Sequence, residues 1–110
     1  MNFSAGELWW VDLPGGAGRE QRGRRPALVL GKANGMGIVM PLTTNPSAAN
    51  LKFTYSIMPS KENGLREESI VLVFQIAAID ESCFIEKLGW LAEEERLPAK
   101  ELLKEMLKLE

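Results

Sequence analysis

The sequence predicts a mainly β, barrel-like fold with one helix at its C-terminal end, an α+β arrangement within 110 residues. Three observations predict it. Short apolar or β-branched runs recur along most of the chain. Turn dipeptides, Asn34-Gly35 and Asn63-Gly64 among them, separate these runs. Only after Pro98 does the apolar spacing become helical, through Ala99, Leu102, Leu103, Met106 and Leu109.

Taken in order, Glu7–Leu13 is an aromatic and β-branched run fit for a first strand. The Pro14-Gly15-Gly16-Ala17-Gly18 stretch breaks it, and residues 14–25 read as one long exposed loop of the kind that usually carries function. Ala27–Gly31 is the run expected of a strand buried on both faces. Asn34-Gly35 predicts a hairpin into a third strand, Gly37–Thr43, where Pro41 marks an edge or a bulge. Asn45–Asn50 is a turn-rich loop, and Phe53–Met58 alternates as a strand does. Pro59–Glu68 is polar, with a further turn at Asn63-Gly64. Ser69–Ile79 is the most apolar run and is expected to be a central strand. Asp80 is placed to cap a short helix over Glu81–Lys87, and Gly89–Leu91 adds a small strand. Pro98 suits the first turn of the final helix, where its missing N–H is not needed.

Composition narrows the chemistry. Hydrophobic residues make up 45% and charged residues 25%, as in ordinary globular domains, and the length favours one domain over residues 1–110. No apolar run approaches the ~20 residues of a membrane span. The opening Met1-Asn2-Phe3-Ser4 lacks the basic and apolar regions of a secretory signal, so the expected location is cytoplasmic. Cys83 is the only cysteine, which fits a reduced compartment. There is no histidine. That excludes Ser-His-Asp and Cys-His catalysis, paired histidines acting on RNA, and zinc held by soft ligands. What remains is carboxylates, arginine or lysine, hydroxyls, or magnesium held by oxygens.

The net charge of −2 argues against a general nucleic-acid coat. Its distribution matters more. Residues 1–50 carry a net +2, and four arginines (Arg19, Arg22, Arg24, Arg25) fall between positions 19 and 25. Glycines there admit close backbone approach, and guanidinium matches phosphate with a planar fork of donors. Alone, this segment reads equally well as a solvated basic loop in which Glu20 makes a local surface ion pair.

Ordered landmarks add to that reading. Gly6-Glu7-Leu8-Trp9-Trp10-Val11-Asp12-Leu13 resembles the opening strand of the MazF/PemK toxins. Gly18, Glu20-Gln21 and Arg25-Pro26-Ala27-Leu28-Val29 resemble their G-x-E-x-x-x-x-R-P-x-x-V pattern. Pro41-Leu42-Thr43-Thr44, Gly64-Leu65, Ser69, Gln75-Ile76 and Ile79-Asp80 follow in the family's order. The resemblance implies an SH3-like β-barrel with a C-terminal helix, a homodimer, and a metal-independent endoribonuclease acting on single-stranded RNA with no cofactor. It also implies a cognate acidic antitoxin of the MazE type, and no membrane partner. Arg25 and Thr43 match the two main catalytic positions and Glu20 a further one. Trp10, Gln21, Ser69 and Gln75 match positions in or behind the substrate groove. Arg19, Arg22, Arg24 and Thr44 are expected to bind RNA rather than cut it.

The implied chemistry suits the composition. The RNA's own 2′-hydroxyl attacks the adjacent phosphate, giving a 2′,3′-cyclic phosphate. Arg25 would stabilise the charge on phosphorus, Thr43 would hydrogen-bond the same group, and Glu20 is the candidate base. Each has a plainer reading: Thr43 as a strand-end cap, Ser69 as a strand-start hydroxyl. Trp9 and Trp10 point to opposite faces of a strand, so at least one belongs to the core. Cys83 departs from the pattern, standing where many members carry a basic residue in the short helix after Ile79-Asp80. A gyrase-binding toxin of the same fold, like the CcdB relatives, is the second reading. It needs no arginine–threonine pair, but its recognition depends on a C-terminus ending near tryptophan, and here Trp90 lies twenty residues before the end. A catalytically dead RNA-binding module is the third. Base-reading loops are expected at residues 14–24 and 45–68.

Overall fold

The chain is described from a computed structural model, over residues 2–15 and 18–109. Gly16 and Ala17, part of the expected loop, lie outside the described residues. The strands are β1 (Glu7–Leu13), β2 (Gly23–Ala33), β3 (Met36–Thr43), β4 (Thr54–Ile57), β5 (Ser69–Leu72), β6 (Ala77–Asp80) and β7 (Phe84–Trp90). One helix follows, α1 (Glu93–Leu107). They form a mixed-order antiparallel sheet, β4-β5-β3-β2-β1-β7, with β6 paired to β3 off this path.

Strand β3 organises the sheet because two strands share one of its edges. Met36–Val39 pairs with β6, and Leu42–Thr43 pairs with β5. Pro41 falls in the handover between them, where neither β5 nor β6 pairs with it. The Asn34-Gly35 hairpin has positive φ at both residues, 54° and 78°, as a type I′ turn requires.

Side-chain alternation builds two cores on the two faces of this sheet. Trp9, Val11, Ala27, Val29, Val39 and Ile79 form one with Phe3 and Phe84, whose rings stack at 3.8 Å. Leu8, Leu28, Met40, Leu42, Val71 and Val73 form the other beneath Ala99 of α1. Ala27, Leu28 and Val29 are wholly buried, as expected of a strand covered on both faces. Trp9 is core, and its Nε1 donates to Glu7 at 2.9 Å. Burial alone would raise the Glu7 carboxyl. Hydrogen bonds from Trp9, Lys87 and the Ser4 N–H outweigh it, and the group sits below its usual range.

Edges β4 and β7 do not pair with each other, so the barrel is not closed by strands. The β4–β5 connection fills the gap. Trp90 N–H donates to the Glu62 carbonyl at 3.0 Å. Backbone meets backbone here: a side chain on Gly64 would strike the Leu88 carbonyl, and one on Gly89 would lie 2.7 Å from the Asn63 carbonyl carbon. Asn63 holds the segment from within, wholly buried. Its Oδ1 accepts from the N–H groups of Ser60 (3.0 Å) and Leu65 (2.9 Å), and its Nδ2 donates to the Met58 carbonyl at 2.9 Å.

Four expectations need correction. The loop over 14–25 is shorter, because β2 begins at Gly23 and places Arg24 and Arg25 on a strand opposite Asp12 and Val11. The run 69–79 is two strands, not one central strand: a 3-10 turn over Val73–Gln75 splits it, with the Val73 N–H drawn to the Phe53 carbonyl at 3.0 Å. Asp80 does act as a cap, accepting from the Ser82 N–H at 2.8 Å, but on a 3-10 turn over Glu81–Cys83. The following residues pair with β1 as β7 instead of forming a helix. Finally, α1 starts at Glu93, so Pro98 lies inside it. The helix N-terminus is secured upstream, where Glu95 accepts from the Ala92 N–H at 3.1 Å, and Tyr55 donates its hydroxyl to the Glu95 carbonyl at 2.9 Å. Among the described residues no helix is long and apolar enough to cross a membrane.

Candidate active site

Strand register places Arg25 and Thr43. Ala27 pairs with Pro41, and Leu28 with Met40. The β2–β3 ladder ends at that Ala27–Pro41 pair, so Arg25 and Thr43 each lie two residues beyond it on neighbouring strands, with Val11 paired to Arg25 and Ile70 to Thr43. Alternation puts both side chains on the face carrying Trp9 and Val11, at the end of the strands where β1 leaves for the loop. Arg25 is half-buried, and its Nε donates to the Arg22 carbonyl at 3.2 Å. Thr43 is only 9% exposed. Its Oγ1 accepts from the Asn45 N–H at 3.2 Å, so the plainer capping role is real. It is also compatible with the functional one, because a hydroxyl that accepts still has its own proton to give.

A cavity of about 500 Å³ opens at Leu13 and Pro41, two residues short of Thr43 along β3, and neither Arg25 nor Thr43 lines it. Its walls are apolar, from Leu13, Pro41, Phe74 and Ile76, and its polar rim is Arg19, Glu20, Gln21 and Gln75. Gln75 links the two. Its Oε1 accepts from the Gln21 N–H at 2.6 Å, and its Nε2 donates to the Arg19 carbonyl at 3.2 Å. The side-chain oxygen of Gln21 is buried with no hydrogen-bond partner among the described residues. Glu20 is exposed on the rim, and among the described residues it makes no ion pair with Arg25.

The other expected residues fall on the opposite face. Arg24 alternates away from Arg25. Its guanidinium lies 5.4 Å from the Trp10 ring centroid and 3.5 Å from Glu86. Trp10, Thr44 and Ser69 line a second cavity of about 490 Å³ together with Arg66 and Lys87. Ser69 is buried and donates to the Glu67 carbonyl at 3.0 Å, which favours its strand-start role. The expected set therefore divides into two groups. Arg19, Glu20, Gln21 and Gln75 line the first cavity, while Arg25 and Thr43 share a sheet face outside its lining, with Arg25 tied to the loop through the Arg22 carbonyl. Trp10, Arg24, Thr44 and Ser69 gather on the opposite face.

Sequence reasoning missed the apolar wall of the first cavity. Phe74 is 38% exposed, although its place in the run 69–79 suggested core. No glycine or proline marks the turn that exposes it. The charged lining of the second cavity, Arg66 and Lys87, carried no motif at all.

Comparison with known proteins follows this geometry. A family model described as PemK-like, MazF-like toxin of type II toxin-antitoxin system matches residues 4–107. Endoribonuclease EndoA of Bacillus subtilis (strain 168) is 30% identical over 99 residues, covering 86% of this chain and 84% of that protein. The crystal structure of MazF (Form-I) from Deinococcus radiodurans superposes with a TM-score of 0.79 at 29% identity, covering 96% of each chain. A MazE-MazF crystal structure (Form-II) from the same organism gives 0.72 at 26% identity, covering 97% of this chain and 96% of that one.

Proposed function

Because the chain belongs to the PemK-like, MazF-like family of type II toxin–antitoxin toxins, we propose that it is an endoribonuclease toxin that cuts single-stranded RNA without a metal and so arrests translation and growth. The observation that carries the mechanism is that Arg25 and Thr43 share one sheet face by alternation, each two residues beyond the Ala27–Pro41 pair. In the proposed reaction the substrate's 2′-oxygen forms a bond to phosphorus, and the bond from phosphorus to the 5′-oxygen breaks. The products are a 2′,3′-cyclic phosphate and a 5′-hydroxyl end. Glu20 on the cavity rim takes the 2′ proton. Arg25 donates charge-assisted hydrogen bonds to the non-bridging oxygens, where negative charge builds up. Thr43 donates a hydrogen bond from its hydroxyl to the same phosphate while accepting from the Asn45 N–H. Guanidinium is a very weak acid, so Arg25 acts only as a charged hydrogen-bond donor in this scheme, and the leaving 5′-oxygen takes its proton from a solvent water.

The same reading carries further proposals: residues 1–110 form one toxin domain, it assembles as a homodimer, and it works in the cytoplasm. The MazE-MazF structure of the relative supports an antitoxin partner, and an acidic antitoxin would engage the arginine loop with carboxylates in place of RNA phosphates. A gyrase-directed toxin is not favoured, since the matching model is of PemK-like, MazF-like toxins and the curated relative is named an endoribonuclease.

Incubating the purified protein with a long single-stranded RNA in EDTA tests the reading. Discrete fragments ending in 2′,3′-cyclic phosphate are the expected result, and RNA left intact would overturn it. Thr43→Val should lower kcat by roughly 10- to 100-fold, since one directed donor to the transition state is lost. Thr43→Ser should keep most of the rate. Single-turnover cleavage by the valine variant at the parent rate would remove Thr43 from the mechanism.

A further inference from the structure

The hydrogen bonds around the β1–β2 loop run in series. Gln75 holds the Arg19 carbonyl and the Gln21 N–H across 56 and 54 residues of sequence. Arg22 is the next residue, and its carbonyl holds Arg25 Nε at 3.2 Å. We propose that Gln75 is a positioning residue that sets the Arg25 guanidinium through this loop, without itself touching the reacting phosphate. The proposal deepens the ribonuclease reading and rests on it for its kinetic consequence.

Three features support it. The 3-10 turn over Val73–Gln75 breaks the apolar run and puts Gln75 on the cavity rim rather than in a strand. A primary amide offers one acceptor and two donors, so it alone among side chains of this length can take an N–H and give to a C=O in the same loop. Both ends of its amide are engaged by loop backbone, so the clamp is in place before any substrate arrives. A loop of this length next to glycines has many competing conformations, and a two-point clamp selects one of them.

Gln75→Ala and Gln75→Glu test the clamp in the full-length protein. In Gln75→Ala, hydrogen exchange of the Gln21 amide should rise by about tenfold or more, the equivalent of two modest hydrogen bonds. The Arg25 Nε–H resonance should shift toward its solvent-exposed position. Glutamate keeps the acceptor for Gln21 but cannot donate to Arg19. It should preserve protection at Gln21 and give an intermediate Arg25 signal. With RNA, Gln75→Ala should lower kcat by about tenfold while changing KM less than about threefold. A residue that binds RNA directly would give the reverse: a raised KM, an unchanged kcat and unaltered exchange at Gln21. That result would overturn the proposal, as would an Arg25 resonance that does not move. If the parent protein cuts no RNA, the ribonuclease reading fails, and the exchange and resonance measurements still decide the clamp.

Discussion

Arg25→Ala should lower RNA cleavage by about a thousandfold, the upper range for removing one preorganised charge donor from a phosphoryl or acyl transition state. Stability should change by no more than about 0.5 kcal/mol, because the side chain is half-buried at a strand end and belongs to neither core cluster. The size of the kinetic loss matters, since four arginines lie within positions 19–25. Losing one phosphate contact among several weakens binding modestly, and low salt restores it. Losing a transition-state donor lowers the single-turnover rate at saturating RNA, where salt cannot restore it. Arg25→Lys separates charge from geometry. Lysine keeps the charge but loses the planar fork, and it should recover only a small part of the rate. Cleavage by Arg25→Ala within about tenfold of the parent would move the catalytic assignment to another residue of the loop.

The distinction between Arg24 and Arg25 was only partly legible in the sequence. Alternation along a strand separates neighbours onto opposite faces, but only if the strand is known to reach them. Pro14 and three nearby glycines suggested a loop as far as Pro26. The pairing of Asp12 with Arg24 and of Val11 with Arg25 extends β2 back to Gly23 instead. The Asn34-Gly35 turn and the doubly buried Ala27–Val29 were readable because local chemistry fixes them. The turn at Val73–Gln75 was not. Its residues favour strand, and a distant acceptor, the Phe53 carbonyl, bends the chain there. Phe53 itself has φ of 61°, a conformation that no propensity would assign to it. The clamp by Gln75 depends on that same turn. So the residue types of the site were visible in the sequence, while the contacts that position them depend on long-range pairing.

Asn63 shows the same limit from the side of stability, and its replacement carries the largest expected structural effect. In sequence, Asn63-Gly64 is a turn within the polar stretch Pro59–Glu68. In the fold, Asn63 is wholly buried and satisfies two backbone N–H groups and one carbonyl of the segment that spans β4 and β7. Asn63→Ala leaves those three groups without their side-chain partner. Each buried group so abandoned costs roughly 1–3 kcal/mol, and water entering the space recovers part of it, so a net loss of about 3 kcal/mol is expected. At about 4–8 °C per kcal/mol for a domain near this size, the melting temperature should fall by roughly 10–25 °C. Asn63→Asp keeps an acceptor for the two N–H groups but buries a charge and removes the donor to Met58, and it should not rescue the alanine variant. Asn63 lies outside both the Arg25–Thr43 pair and the lining of either cavity. Cleavage at low temperature, scaled to the folded fraction, should therefore stay within about threefold of the parent. A melting temperature within about 3 °C of the parent would mean that strand pairing alone holds the barrel's open side, with no essential contribution from this connection.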